Sequence, residues 1–251
     1  MYCFTCKEDF ESMMTCIYRV WEAKKGRENV RLEIEPVEQM ELLTEYIHVE
    51  MDPELAQKVI RSIRTKISAH AYYQIYLAAM SIDPGRLDAI YRFLRLGFAV
   101  GGQVTEYLRE EPVMRIFELS RQVANERHYF YEFLRFARIE PGIYVAHMEP
   151  KGNVAVLVAE HFADRMPSED WMIIDDGRCL GVIHPKDEPF YVTEFREEEM
   201  ERLCQTEKQE DLYTQMWKEF FHTIAVEKRE NPVCQRNLFP LRYRKHVTEF
   251  L

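Results

Sequence analysis

Residues 153–183 read NVAVLVAEHFADRMPSEDWMIIDDGRCLGVI, and their pattern predicts a helix followed by two strands. Apolar residues recur at helical spacing over residues 153–166, whereas residues 171–174 and 179–183 have strand character. The sequence Asp175-Asp176-Gly177-Arg178 between these two strands is a hairpin signal, because Asp-Gly tolerates a positive φ. This stretch therefore predicts a helix that packs against a β-hairpin.

Strand patterns lie on both sides of this stretch. Residues 133–138 and 143–148 have the pattern of two strands joined by the turn sequence Glu140-Pro141-Gly142, and residues 190–195 have that of a further strand. The order of two strands, a helix and three strands predicts an antiparallel sheet with a helix on one face. Residues 197–228 are predicted to form one long helix or two broken ones, and short helices are expected after Asn231 and Pro240.

The N-terminal half is predicted to be mainly helical. Residues 2–5 and 30–34 form a short strand pair, and residues 9–25 between them form an amphipathic helix. Three or four packed helices are expected over residues 52–132. Two of these helices are predicted to start at Asp52-Pro53 and Asp83-Pro84, where a capping side chain precedes a proline. Asn231-Pro232 has the same pattern and predicts a later helix start. The expected fold class is helix-rich α+β, with a mainly helical region over residues 1–110 and an α+β domain over residues 111–251.

The composition limits the classes of function. The 251 residues are 47% hydrophobic and carry a formal net charge of −10. A protein that coats nucleic acid over its whole surface is excluded, because phosphate binding needs positive charge. No apolar run approaches the roughly 18 residues that span a bilayer, and no export signal is visible. We therefore expect a cytoplasmic protein with free thiols and no membrane contact.

Cys3 and Cys6 form the one cysteine spacing that suggests chemistry. A C-x-x-C pair can be redox-active, but a zinc site needs two further ligands at matching spacing, which the sequence does not offer. The P-loop, the dinucleotide-binding motif and the nucleophile elbow are also absent. We expect an incidental cysteine pair, no metal site and no cofactor, with a redox or metal role of this pair as the alternative.

Positive charge is concentrated near the C-terminal end. Residues 227–246, the C-terminal basic segment, contain six basic and two acidic residues in a chain that is acidic as a whole. This asymmetry suggests a nucleic-acid or phosphate contact, and Tyr243 and Phe239 could offer stacking faces to an unpaired base. The alternative is ion pairing with the acidic residues 197–201. The candidate binding residues are Arg229, Asn231, Arg236, Arg242, Tyr243, Arg244 and Lys245.

A second group of charged residues comes from the predicted sheet and its helix. It consists of Arg135, His161, Arg165, Asp175 and Arg178. Arg135 and Asp175 are expected on strands that could be neighbours, and arginines would lower the pKa of the carboxylate between them. Such a group suits anion binding or structural pairing better than proton transfer. Glu126 and His161 are the candidate acid/base residues, and no catalytic residue is assigned.

Several segments, most of them in the second half, resemble one bacterial family. They are ERH at 126–128, FLRF at 133–136, HFADR at 161–165, WMIID at 171–175 and EKRENP at 227–232. The chain resembles a family of probable DNA metabolism proteins that contain a domain of unknown function. The resemblance implies a gene located beside that of a radical-SAM protein. In some members the domain is fused to a uracil-DNA-glycosylase-like domain.

Three functional hypotheses follow. The first is an accessory protein of DNA repair or DNA modification that binds DNA, single-stranded or damaged, through the C-terminal basic segment and also binds a partner enzyme. The second is an enzyme that acts on a nucleotide or a damaged base in a pocket lined by Arg135, Asp175 and Arg178. The third is a protein-interaction module that docks on the radical-SAM partner without contacting DNA.

Overall fold

The chain forms two compact units, Met1–Ala124 and Asn125–Leu251. The computed structural model describes residues 1–26, 29–37, 39–139, 142–196, 198–199, 216–220, 223 and 231–250. Each unit has helices and a sheet of its own. The predicted helix-rich α+β class is therefore confirmed.

The first unit is built around three parallel strands. They are β1 (Tyr2–Cys6), β2 (Val30–Ile34) and β3 (Glu45–His48), in the order β2-β1-β3. The register pairs Phe4 of β1 with Leu32 on one side and with Ile47 on the other. The predicted strand pair is present, and β3 is an addition to it. A four-residue edge strand that pairs with a distant segment has little pattern of its own, so the sequence did not indicate it.

Helices cover the rest of the first unit. They are α1 (Phe10–Ala23), α2 (Pro53–Lys66), α3 (Ala69–Ala79) and α4 (Arg86–Val100), then a 3-10 helix (Gly101–Glu106) and the start of α5 (Glu111–Phe133). Asp52 caps α2 as predicted, because its side chain accepts from the backbone N–H of Leu55 at 3.2 Å. Asp83 is predicted to cap a helix in the same way, but the N-cap of α4 is Gly85, two residues later. The Asp83 carboxylate accepts from the N–H of Gly85 at 2.9 Å, so it closes a turn that precedes α4.

One close contact sets the spacing of α2 and α4. A Cβ atom at Gly97 of α4 would lie 2.8 Å from the Ile67 side chain at the end of α2. At Gly102, in the following 3-10 helix, a Cβ atom would lie 3.0 Å from the carbonyl oxygen of Ile67. The absence of side chains at these two positions therefore allows the helices to approach each other closely.

The second unit contains a five-stranded sheet in the order β4-β5-β6-β7-β8. Its strands are β4 (Ala137–Ile139), β5 (Ile143–Met148), β6 (Trp171–Asp175), β7 (Leu180–His184) and β8 (Tyr191–Glu194). The sheet differs from the predicted one at a single pair, because β5 and β6 run parallel. The helix between them, α6 (Ala155–Arg165), brings the chain back to the end of the sheet at which β5 begins, so that β6 can run in the same direction.

The first predicted strand of this sheet is shorter than expected. Residues 133–138 were predicted as a strand, but α5 continues to Phe133 and β4 begins only at Ala137. Phe130 and Leu134 are both buried at helical spacing, so the apolar side of α5 extends to its end. Arg135 therefore lies in the connection between α5 and β4, and not on a strand.

The chain ends in short helices, as predicted. Asn231 caps α7 (Pro232–Leu238), and two 3-10 helices follow, Leu241–His246 and Thr248–Phe250. The long helix predicted over residues 197–228 lies largely outside the described residues. Among the helices that the structure describes, none combines the length and the apolar character needed to cross a membrane.

Candidate functional site

The described part of the C-terminal basic segment, residues 231–246, contacts carboxylates and carbonyl groups of the second unit. The Arg242 guanidinium donates to Glu126 at 2.7 Å, and the Lys245 ammonium contacts Glu149. Arg244 donates to the carbonyl oxygen of Phe239 at 3.1 Å. These three cations are therefore bound by groups of their own unit. The alternative prediction, pairing with the acidic residues 197–201, falls largely outside the described residues.

Glu126 is a structural acceptor. Its carboxylate is 6% exposed and accepts from the backbone N–H groups of Lys151 at 2.9 Å and Gly152 at 2.8 Å, in addition to Arg242. His128, the nearest histidine in sequence, instead faces Glu132 at 3.2 Å. The structure thus places Glu126 in a buried network that holds a loop and the C-terminal basic segment together.

The two aromatic residues of the C-terminal basic segment are buried. Phe239 stacks on Phe133 with ring centroids 3.9 Å apart, and Tyr243 lies against Tyr129 at 4.8 Å. Burial raises the pKa of Tyr243, although the hydrogen bond from Arg242 opposes the rise. Because other rings of the unit cover them, Phe239 and Tyr243 serve as anchors of the segment. Their placement does not support base stacking.

The remaining candidates of this segment have separate roles. Arg229 lies outside the described residues. Asn231 caps α7, since its side-chain oxygen accepts from the N–H of Cys234 at 3.0 Å. Arg236 is exposed on α7, and Arg165 is exposed in the last turn of α6. Arg165 and Arg236 therefore remain available to an external anion.

Asp175 and Arg178 form a closed pair in the β6–β7 hairpin. Arg178 donates to Asp175 at 3.0 Å, and also to the carbonyl oxygens of Pro150 at 3.2 Å and Lys151 at 2.7 Å. Asp175 is fully buried, and burial raises its pKa by more than Arg178 lowers it. Arg178 does lower this pKa, as expected, but the expected net result is wrong because burial has the larger effect. The pair joins the hairpin to the loop after β5.

The other members of the second charged group lie in separate clusters. Arg135 donates to Glu249 at 2.9 Å, and His161 stacks on Tyr131 with ring centroids 4.2 Å apart. Arg135 and Asp175 were expected on strands that could be neighbours, and this is wrong. Arg135 precedes β4, and β5 lies between β4 and the strand of Asp175, β6. Burial lowers the pKa of His161, and the charge of Arg165 lowers it further. The contacts do not unite these residues around a common ligand position.

A cleft in the first unit was not predicted. It has a volume of about 730 Å³ and lies where α1, α2 and α4 meet the first residue of β2. Lys58, Ser62 and Lys66 line it from α2 at spacings of four residues, and Tyr91, Arg95 and Phe98 line it from α4 at spacings of four and three. Each helix thus turns one face towards the cleft. The α1 side is formed by Tyr18, Val20, Trp21, Lys24, Lys25 and Gly26.

The described lining of this cleft is cationic and aromatic. Its five charged residues are all basic, and its aromatic residues include Trp21, whose ring meets Phe98 edge to face at 5.3 Å. We call this feature the cationic cleft, with Lys24, Lys25, Lys58, Lys66 and Arg95 as its charged residues. Concentrated positive charge in an acidic protein favours the binding of an anion, and aromatic side chains favour a planar group.

The cations of the cleft are not neutralised within the described residues. None of its four lysines has a carboxylate of the described chain at ion-pair distance, and all four are exposed. Lys25 lies over the ring of Tyr2, with its Nζ 4.5 Å from the centroid. The Nε atom of Arg95 is buried, and no described group accepts a hydrogen bond from it. The cleft thus differs from residues 241–246 of the C-terminal basic segment, where Arg242 and Lys245 face carboxylates and Arg244 donates to a carbonyl oxygen.

The C-x-x-C pair lies in β1 with both thiols buried. Side chains alternate across a strand, so positions 3 and 6 point to opposite faces, with Cα atoms about 10 Å apart. This separation exceeds the range in which two cysteines can form a disulfide. Cys16 of α1 contacts Cys6, and burial raises the pKa of Cys3 to about 12. The placement supports the incidental interpretation over a redox role.

These features define a two-unit α/β protein. One unit has a cationic cleft whose lysines have no carboxylate partner in the described part of the chain, and the other unit has closed ion pairs. The family model DUF4130, a domain of unknown function, matches residues 84–249. The chain therefore belongs to the DUF4130 family. The match includes α4, which forms one wall of the cleft, whereas α1 and α2 precede it. No curated protein and no solved structure matches the chain.

Proposed function

We propose that this protein binds single-stranded DNA through the cationic cleft and acts as an accessory protein of DNA repair or DNA modification. One observation carries the proposal: five basic side chains surround a cleft of about 730 Å³ that has no acidic residue in its described lining. The chain as a whole has a net charge of −10, so this concentration of positive charge is local. A phosphate backbone binds to such a site mainly by releasing its counterions.

The aromatic residues of the cleft support a strand with unpaired bases. Stacking of a base on an aromatic ring contributes about 1–3 kcal/mol per base and tolerates any sequence. Tyr18, Trp21 and Phe98 are in reach of such a strand, because they line the cleft and are partly exposed, whereas Tyr91 is buried. A duplex keeps its bases stacked on each other, so it would use the lysines but not the rings.

The biological setting of the proposal comes from the resemblance to probable DNA metabolism proteins. A cytoplasmic location, a role in repair or modification and a radical-SAM partner are all parts of this setting. The sequence predicts the C-terminal basic segment as the DNA contact. We assign it a structural role instead, because Arg242, Arg244 and Lys245 are bound within their own unit. Arg236 and Arg165 are exposed.

A titration of the full chain with a fluorescently labelled oligothymidylate tests the proposal. The variant K58A/K66A removes two cations from the cleft, and K151A/K186A removes two exposed lysines from the second unit as the matched control. We expect the cleft variant to lower the slope of log K against log salt by about 1.4, since each single-strand contact contributes about 0.7. The control is expected to retain the wild-type slope. Equal slopes and affinities for both variants would reject the cleft as the DNA site.

The dimensions of the cleft favour a second candidate, a site for a free nucleotide. Its volume is within the range of about 300–1,000 Å³ that is typical of small-ligand sites. Competition with thymidine monophosphate in the same titration distinguishes the two candidates. Release of the oligonucleotide by the mononucleotide at similar concentration would favour nucleotide binding. If neither ligand binds, the interaction module for a radical-SAM partner becomes the leading hypothesis.

A further inference from the structure

Three polar side chains come together at the C-terminal ends of β5 and β6 in the second unit. Glu149 follows β5, Asp176 follows β6, and His246 ends the 3-10 helix Leu241–His246. Because β5 and β6 are parallel and Met148 is in register with Asp175, the residues after them leave the sheet side by side. The N–H of Asp176 donates to the carbonyl oxygen of Met148 at 3.0 Å, which fixes this arrangement.

The distances between these groups do not correspond to hydrogen bonds. Nε2 of His246 lies 3.5 Å from Oε1 of Glu149 and 3.6 Å from Oδ2 of Asp176. This nitrogen is buried and has no hydrogen-bond partner among the described residues. Buried polar atoms without a partner are rare and need an explanation.

The same distances correspond to the geometry of a metal site. Ligand atoms about 2.1 Å from a tetrahedrally coordinated ion lie about 3.4 Å from each other. All three ligand atoms of Glu149, Asp176 and His246 lie within 4.8 Å of one another. One ion can therefore contact all of them with little movement of the side chains.

A further histidine orients the carboxylate of this group. Nδ1 of His147 is 2.7 Å from Oδ1 of Asp176, so the second oxygen, Oδ2, is the one that faces His246. The two histidine rings lie nearly parallel, with centroids 6.0 Å apart. Carboxylates that bind a metal are commonly held in this way by a hydrogen bond from an outer residue.

A cation is already present at one of the three ligands. The ammonium of Lys245 contacts Oε1 of Glu149, the oxygen that also faces His246. The Lys245 side chain is 62% exposed, so its ammonium can move into solvent when another cation binds. Lysine and a metal ion would thus compete for the same oxygen.

We propose that Glu149, Asp176 and His246 form a binding site for a divalent transition-metal ion. Imidazole together with carboxylate favours ions such as Zn²⁺ over Mg²⁺ and Ca²⁺, which prefer oxygen ligands alone. With three protein ligands the ion keeps an open position for water. The proposal is independent of DNA binding, because the cationic cleft is in the other unit.

Isothermal titration of the full chain with Zn²⁺ tests the site. We expect one equivalent to bind, H246A to lower the affinity more than about tenfold, and Mg²⁺ in excess not to displace Zn²⁺. The matched control is H128A, which removes an exposed histidine that is paired with Glu132. Absence of Zn²⁺ binding, or equal losses in H246A and H128A, would overturn the proposal.

A second variant keeps the test decisive if H246A does not fold. K245M leaves the three ligands in place and removes the competing ammonium. We expect it to bind Zn²⁺ more tightly, by about two- to fivefold, which is the range of an exposed ion pair. Unchanged or weaker binding by K245M would overturn the proposal.

Discussion

The guanidinium of Arg242 lies 2.7 Å from the carboxylate of Glu126, a residue 116 positions earlier in the chain. This pair joins the C-terminal basic segment to the end of α5 and, through Glu126, to the loop of Lys151 and Gly152. A basic segment that appears from sequence to be free for a polyanion is therefore a structural element of its own unit. The lysines of the cationic cleft, by contrast, have no carboxylate partner among the described residues.

Replacing Glu126 with glutamine should lower the stability of the protein. The amide keeps the size of the side chain but leaves Arg242 and one backbone N–H with weaker partners, so we expect a loss of about 2–3 kcal/mol in the free energy of unfolding. Urea denaturation followed by circular dichroism measures this loss. The exposed pair of His128 and Glu132 provides the control, and E132Q should change stability by less than about 0.5 kcal/mol. Equal effects of the two variants would contradict the role of Glu126.

The pair of Arg135 and Glu249 should make stability depend on pH in the acid range. Burial raises the pKa of Glu249, but the hydrogen bonds and charge of Arg135, a backbone hydrogen bond and a hydrogen bond from Trp217 together lower it more. The folded pKa therefore lies below the ordinary value. The stabilisation is therefore complete above the unfolded pKa of Glu and is lost as the pH falls through the folded pKa.

E249Q removes this dependence. At pH 7 we expect it to lower the free energy of unfolding by about 1–3 kcal/mol, reduced by the solvent exposure of Arg135. Between about pH 5 and pH 3 the variant should lose less stability than the wild type, because its side chain does not titrate. Urea midpoints measured across this range provide the comparison. Parallel pH profiles for the two proteins would show that Glu249 has an ordinary pKa.

The cysteines of the first unit should resist alkylation in the folded protein. Cys3, Cys6 and Cys16 are buried, and burial raises the pKa of Cys3 to about 12, so little thiolate forms at pH 8. Cys234 is exposed and should react with iodoacetamide within minutes. Peptide mass spectrometry after alkylation, with and without urea, distinguishes the two groups. Modification of Cys3 in the native protein would revive a redox role for the C-x-x-C pair.

Local patterns in the sequence predicted most elements of the fold. The alternation in residues 143–148, the Asp-Gly hairpin and the capping residue Asp52 each act within a few residues, so a single sequence contains them. Errors arose where tertiary packing decides. The extension of α5 to Phe133 depends on the burial of Phe130 and Leu134, and β3 depends on pairing with β1.

The sites were harder to predict for a related reason. Charge along the chain indicated the C-terminal basic segment, but its partners Glu126 and Glu149 are about a hundred residues away in sequence. The cationic cleft combines residues from three helices, and only the spacing of Lys58, Ser62 and Lys66 could have pointed to a shared face. The sequence contains the charges, whereas the fold determines which of them remain unpaired.

Gly97 bears on the cleft although it does not line it. It lets α4 approach Ile67 at the end of α2, and both helices line the cleft. The distance between these two walls of the cleft is thus set by a position with no side chain. The substitution Gly97→Ala would add one methyl group there. It would change the width of the cleft without changing any residue that lines it.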